Sequence, residues 1–155
     1  MRALRVYIDT SVLGAVFDEE FKEATTMFFE QASDGRFRLV LSSLVEDEIA
    51  DAPEDVRVFY DNLAAHAEIV TPTSEAVMLQ QAYLGAGVVT QKWADDALHV
   101  ATAATFECDV IVSWNFRHIV HLDKKRKYNG VNALHGYNSI DILTPAEVIE
   151  YEEDI

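Results

Sequence analysis

The sequence predicts an α/β fold with a mostly parallel central sheet between helical layers. Three observations carry that reading. Short apolar runs of strand length alternate with runs of helical periodicity along the chain. No internal repeat, low-complexity tract or Pro/Gly/Ser linker divides it. The 155 residues, half of them hydrophobic, suit one domain spanning residues 1–155. Strands separated by helices imply crossover connections, and crossovers imply parallel pairing with helices on both faces.

Each element has its own local warrant. The apolar run Leu4–Ile8 reads as a strand. Residues 20–33 read as a helix with Phe21, Ala24, Met27 and Phe28 on one face. Asp34-Gly35-Arg36 is a turn, and residues 37–41 form the next strand. Residues 44–52 and 55–65 look helical. Ser43-x-x-Glu46 matches a capping box, which gives Glu46 a structural role. Residues 68–70 are a short strand. The helix over 73–84 stops at Gly85-Ala86-Gly87. Residues 91–106 read as one long helix, 110–112 as a strand, and 140–143 as another. Pro145 opens a final helix in its first turn, where a missing N–H costs nothing.

Composition limits the function classes. No apolar run approaches the about 20 residues needed to span a bilayer. Asp9 interrupts the only apolar segment near the N-terminus, so no signal peptide is expected there. The single cysteine, Cys108, excludes an internal disulfide, reads as a small core residue and fits a reducing cytoplasm. Twelve basic and 27 acidic residues give a net charge of −15. A chain this acidic does not bind nucleic acid by bulk charge. It needs a local basic patch or bound cations, or it meets a basic partner.

The acids that matter are those on the apolar side of an element. Asp9 ends the first strand, and ligands in such sheets bind outside the carboxyl ends of strands. Successive helical residues turn by about 100°. With Leu44 as origin, Val45, Ile49 and Ala52 span an arc that contains Glu48, whereas Glu46 and Asp47 fall outside it. Glu48 is therefore either functional or part of a buried salt bridge. On the helix from Gln91, the apolar arc centres on Ala97, Ala101 and Ala104. Asp95, His99 and Thr102 mark the opposite, polar stripe. Asp96 lies at the border and is the better site candidate, while Asp95 suits the exposed helix N-terminus. His99 follows Asp96 by three residues and is within its reach. It is either a supporting partner of the site, a substrate contact, or a partly exposed helical histidine.

If Asp9, Glu48 and Asp96 meet, their repulsion needs an answer. Two carboxylates about 4 Å apart cost on the order of 4 kcal/mol at an effective dielectric near 20. Protonation relieves this by raising one pKa. A divalent cation relieves it better, and all-oxygen ligands favour Mg2+ or Mn2+.

Taken in order, these segments resemble the PIN-domain family, the small metal-dependent nucleases that include VapC-type toxins of toxin–antitoxin pairs. "YIDTSVLG" resembles its first motif, with Asp9 as the acid. "SSLVEDEI" resembles the second, with Glu48 in the functional position. "DALHVATA" is similar to the third, with Asp96. "CDVIVSWNF" resembles the strand before the fourth. There Asn115 stands where an acid is common, and its carbonyl oxygen brings no charge to a metal. The resemblance implies a PIN-like three-layer α/β/α sandwich, and metal-assisted cleavage of RNA phosphodiesters. It implies Asp9, Glu48, Asp96 and Asn115 as metal-holding and catalytic residues. Its toxin members also imply a homodimer and an antitoxin partner.

Substrate contacts are expected beside this site. Thr10 or Ser113 either orients a water or phosphate oxygen, or acts as a cap or turn hydroxyl. Residues 114–128 hold Arg117, Lys124, Lys125, Arg126 and Lys127, five of the twelve basic residues, interleaved with Trp114, Phe116 and Tyr128. Such a stretch either tracks a single strand or is a solvated helix or loop with its aromatics packed inward. His118 and His121 are too few for a zinc site. Two rivals stand beside the nuclease: a catalytically weak or inactive PIN-fold binding module, which Asn115 favours, and a phosphatase of the haloacid-dehalogenase type. The latter also starts from a strand ending in Asp. It needs a second acid where this chain has Ser11.

Overall fold

The structure is a computed structural model that describes residues 2–151; Met1 and residues 152–155, the two ends of the expected domain, lie outside the described residues. Five strands form one sheet: β1 (Leu4–Ile8), β2 (Phe37–Ser42), β3 (Glu68–Val70), β4 (Val110–Val112) and β5 (Asp141–Leu143). The order is β3-β2-β1-β4-β5, and every neighbouring pair is parallel. Tyr7 sits opposite Val40 on one side and Ile111 on the other, which fixes the central register. The expected α/β class and parallel sheet are both borne out.

Eight α-helices connect and follow these strands among the described residues: α1 (Thr10–Ala15), α2 (Lys22–Ser33), α3 (Ser43–Glu48), α4 (Glu54–Ala64), α5 (Ser74–Gly85), α6 (Ala94–Thr105), α7 (Leu122–Leu134) and α8 (Pro145–Val148). Strand alternation divides the core into two layers. Val6, Ile8, Leu41, Val110 and Val112 pack toward α1, α2, α3, α4 and α8. Tyr7, Val40, Ile111 and Ile142 pack toward α5, α6 and α7. Each fully buried aliphatic side chain of this kind contributes about 1.5–3 kcal/mol.

Local chemistry explains where the elements stop. The cap of α3 is Ser42 rather than Ser43: its Oγ accepts the Leu44 N–H at 3.0 Å. The N-cap expected at Ser43 is therefore displaced by one residue, because β2 runs on through Ser42, and the box with Glu46 does not form: the residue three after Ser42 is Val45. Helix α3 ends at Glu48, short of the expected 52. Pro53 follows, and a residue before proline is driven out of helical geometry. A true capping box forms at Thr144 and Glu147, with Pro145 in the first turn. Gly87, at φ +76°, supplies the left-handed turn after α5. Helix α1 was not legible, since six residues, TSVLGA, are too few for a period. The long helix begins with a 3₁₀ turn (Gln91–Trp93) before α6. Residues 114–128 resolve into a loop and the start of α7.

The site's location follows from the strand order. The chain leaves β1 toward β2 on one side and leaves β4 toward β5 on the other. Their carboxyl ends therefore border a switch-point crevice, the usual ligand position in such sheets. Asp9 and Ser113 are the residues immediately after β1 and β4.

Candidate active site

Asp9 is the innermost acid, at 4% exposure. It occupies the N-cap position of α1, yet its side chain caps nothing. Both carboxylate oxygens are instead held by hydroxyls: Ser11 donates to Oδ1 at 2.6 Å and Ser113 to Oδ2 at 2.7 Å. Those hydroxyls are themselves fixed by backbone donors, Trp114 N–H to Ser11 at 2.9 Å and Asn115 N–H to Ser113 at 2.9 Å. Burial raises the Asp9 pKa; the charge of His99 and the two serine bonds work against that rise, and Asp96 adds to it.

Glu48, the last residue of α3, reaches the same crevice from β2's side. Its side chain is 31% exposed, so it stands at the rim rather than inside the apolar layer as its helical arc suggested. Thr10 donates to its Oε1 at 3.0 Å, and His99 Nε2 lies 2.5 Å from the same atom. Burial pushes the Glu48 pKa up, but the bond and charge of His99, with Thr10, outweigh it and carry the group below the ordinary carboxylate range. Asp96 is half-buried in the first turn of α6, where the helix N-terminus favours negative charge. Its pKa is raised by burial and by Glu48, against the Asn115 amide and the charges of His118 and His99. Asp95 is exposed, as expected.

His99 corrects the sequence reading. It is 2% exposed and Thr102 is fully buried, so the stripe opposite the alanines is also interior. Helix α6 packs against both the sheet and α5, and its polar groups find partners within the fold. Thr102 donates to the Leu98 carbonyl at 2.7 Å, and His99 Nδ1 lies 2.7 Å from the Tyr7 hydroxyl. Burial lowers the His99 pKa, but the Glu48 bond and the charges of Asp9, Glu48 and Asp96 carry it up overall. Tyr7 was missed altogether because it reads as one more strand residue. The signal for the pair was a tyrosine two residues before the motif acid and a histidine one turn after Asp96.

The remaining candidates are placed as follows. The Asn115 carbonyl oxygen accepts the N–H groups of Arg117, at 3.3 Å, and His118, at 3.0 Å, so the atom assigned to a metal is engaged in the loop. The Asn115 amide faces Asp96. Ser113 is fully buried, which makes it a support for Asp9 and not a substrate contact. Thr10 supports Glu48 in the same way. Trp114 stacks on Phe21 at 4.4 Å, and its indole N–H donates to Thr25 at 2.9 Å, so it packs onto α2. Tyr128 is fully buried and donates to the His118 carbonyl at 2.8 Å. Lys124 donates to the Val88 carbonyl at 2.5 Å, and Lys127 pairs with Asp123 at 3.1 Å. Arg117 and Arg126 are exposed, and Lys125 is half-buried. Sequence reading also missed Trp93, which stacks on His118 at 4.1 Å beneath the Lys92 ammonium, 5.0 Å from its ring.

The donor chemistry suits a hard divalent cation: oxygen ligands and net negative charge, with none of Asp9, Glu48 and Asp96 paired to a lysine or arginine among the described residues. The three acids are neighbours but do not close on one point. Among the described residues, no three acidic, histidine or cysteine side chains are gathered as a ready coordination sphere. Glu48 is held through its Oε1 by His99 and Thr10. A hollow of about 520 Å³ opens elsewhere, lined by Phe29, Phe37, Arg38, Asn62, Leu63 and Glu68; it contains none of these acids.

Comparison with known structures bears on this arrangement. A chain of VapBC2 from Rickettsia felis, solved in complex with a DNA fragment from its promoter, superposes with a TM-score of 0.60 over 91% of this chain and 98% of its own, at 10% identity. This chain has the PIN-like fold. The three-layer α/β/α sandwich implied by the four motifs is thereby borne out. Comparison with protein-family models and with curated protein sequences finds no match. No helix among the described residues is long and apolar enough to cross a membrane.

Proposed function

We propose that this PIN-like protein is a divalent-metal-dependent endoribonuclease. The observation that carries the reading is the set of three carboxylates from separate segments at the switch-point crevice, unmatched by any lysine or arginine among the described residues. Asp9, Glu48 and Asp96 would hold Mg2+ or Mn2+, with Asn115 supporting Asp96 through its amide. The ion, when bound, lowers the pKa of water and offsets phosphate charge. Ser11 and Ser113 keep both Asp9 oxygens oriented, and Thr10 and His99 hold Oε1 of Glu48.

RNA is the substrate this rim suits. Phe116, at 48% exposure, offers an aromatic face on the loop that follows β4. Lys92, Arg117, Lys125 and Arg126 supply local positive charge on an otherwise acidic body. The structural neighbour is a VapBC2 complex on DNA. By analogy we assign this chain the toxin role in a toxin–antitoxin pair, as a cytoplasmic homodimer with an antitoxin partner. The second reading, an inactive binding module, is favoured by two observations. The Asn115 oxygen is engaged in the loop, and no three acidic, histidine or cysteine side chains among the described residues are gathered as a ready coordination sphere.

Purified protein incubated with mixed RNA and Mn2+ separates them. Cleavage abolished by chelator and by Asp9→Asn is the expected result. Intact RNA under every divalent metal, with a normally folded protein, would instead leave the binding module.

A further inference from the structure

We propose that Tyr7 and His99 form a buried tether that positions Glu48 for the divalent ion; the inference rests on the metal-dependent reading above. Glu48 needs such a device. It is the last residue of a six-residue helix, its side chain is 31% exposed, and nothing within α3 holds its carboxylate. A glutamate so placed has several rotamers open to it, and fixing one at the moment of binding lowers affinity.

Two bonds remove that freedom in advance. His99 Nε2 and Thr10 Oγ1 both meet Oε1, at 2.5 and 3.0 Å, which leaves Oε2 without a protein partner among the described residues. His99 is rigid because it is buried and its other ring nitrogen lies 2.7 Å from the fully buried Tyr7 hydroxyl. The two rings also meet edge to face, with centroids 5.8 Å apart.

The tether's anchorage is what gives it a function beyond packing. Tyr7 lies in β1, two residues before Asp9, and His99 lies in α6, three residues after Asp96. Glu48 is thus tied to the same two elements that carry the other acids. The spacing of all three carboxylates follows from rigid β1 and α6 rather than from the exposed end of α3. Oε1 is the anchored atom, and Oε2 is the donor left for the ion. Partners that orient a ligand in this way are typically worth 10–100-fold in metal affinity.

The test reads metal affinity directly. Free Mn2+ is measured by electron paramagnetic resonance during titration of the wild-type protein, Tyr7→Phe and His99→Gln. Each substitution is repeated in a Glu48→Ala background, with folding checked by circular dichroism. Expected is a loss of about 10–100-fold for His99→Gln and a smaller loss for Tyr7→Phe, with no further loss once Glu48 is absent. A merely structural role would weaken binding equally in both backgrounds, and that outcome overturns the tether. Unchanged Mn2+ affinity in folded Tyr7→Phe also overturns it, even if His99→Gln fails to fold. A wild-type protein that binds no Mn2+ overturns the metal reading itself, and the tether with it.

Discussion

Replacing Ser113 by alanine tests how the innermost acid is held. The Ser113 hydroxyl is fully buried at the end of β4, donates to Asp9 Oδ2 at 2.7 Å and accepts the Asn115 N–H at 2.9 Å. Its removal forfeits a hydrogen bond to a buried carboxylate, about 1.5–3 kcal/mol, and leaves the Asn115 N–H without its acceptor, about 1 kcal/mol more. The sum is about 2.5–4 kcal/mol. In a domain of this length each kcal/mol moves Tm by about 2–4 °C, so the expected fall is roughly 5–15 °C. The effect also has a required pH dependence. Burial raises the Asp9 pKa, and the Ser113 bond opposes that rise by favouring the ionised form. Without Ser113 the folded-state pKa rises further. The loss of stability is therefore complete where Asp9 is ionised, above that pKa, and shrinks as the pH falls through it. Urea unfolding of both proteins, followed by tryptophan fluorescence from neutral to acid pH, measures it. A loss below about 0.5 kcal/mol at neutral pH, or one that grows on acidification, would refute the argument that Ser113 stabilises a buried carboxylate.

Three further outcomes are expected. Asn115→Asp adds a fourth acid beside Asp96; the metal-free protein should melt lower than wild type, and saturating Mn2+ should raise its Tm by more than it raises that of wild type. An equal Mn2+ response in both proteins would count against Asn115 lying at the metal. Phe116→Ala should raise KM for RNA by about tenfold with kcat nearly unchanged, the loss of one stacked base; a fall in kcat alone would place Phe116 outside substrate binding. Burial pushes the Cys108 thiol up to about 12 and leaves it 6% exposed. Iodoacetamide should therefore spare the native protein and modify it in urea, as mass spectrometry would detect; rapid modification of the native form would contradict this burial.

Much of this architecture was legible because its signals are local. The strands announce themselves as apolar runs, and the helix-stopping Gly87 and the helix-opening Pro145 act within a turn of their own positions. Asp9 stood out because a strand that ends on a carboxylate has no packing reason to do so. Glu48 and Asp96 emerged from the 3.6-residue period, though the period overstated how deeply Glu48 lies. Helical phase gives direction, whereas depth depends on what covers the helix.

The same limit misplaced His99 and Thr102. An alanine face opposite polar residues reads as one side in and one side out, and that holds only where water covers the second side. Helix α6 has protein on both, so the stripe turned inward and had to find partners there. Asn115 is a related case: its residue type permits metal ligation, but its oxygen is engaged by the turn at Arg117 and His118.

The sequence by itself determined the order of strands and helices, the parallel pairing that crossovers impose, and which acids lacked a structural excuse, because each of these follows from near neighbours and periodicity. Only the tertiary structure decided that Tyr7 and His99 would meet, that Glu48 would bind that pair, and that three acids would come near one another without closing on a point. Those facts depend on contacts between residues 38 to 92 positions apart. Such separations carry no local signal, because it is sheet order and helix packing that bring the groups together.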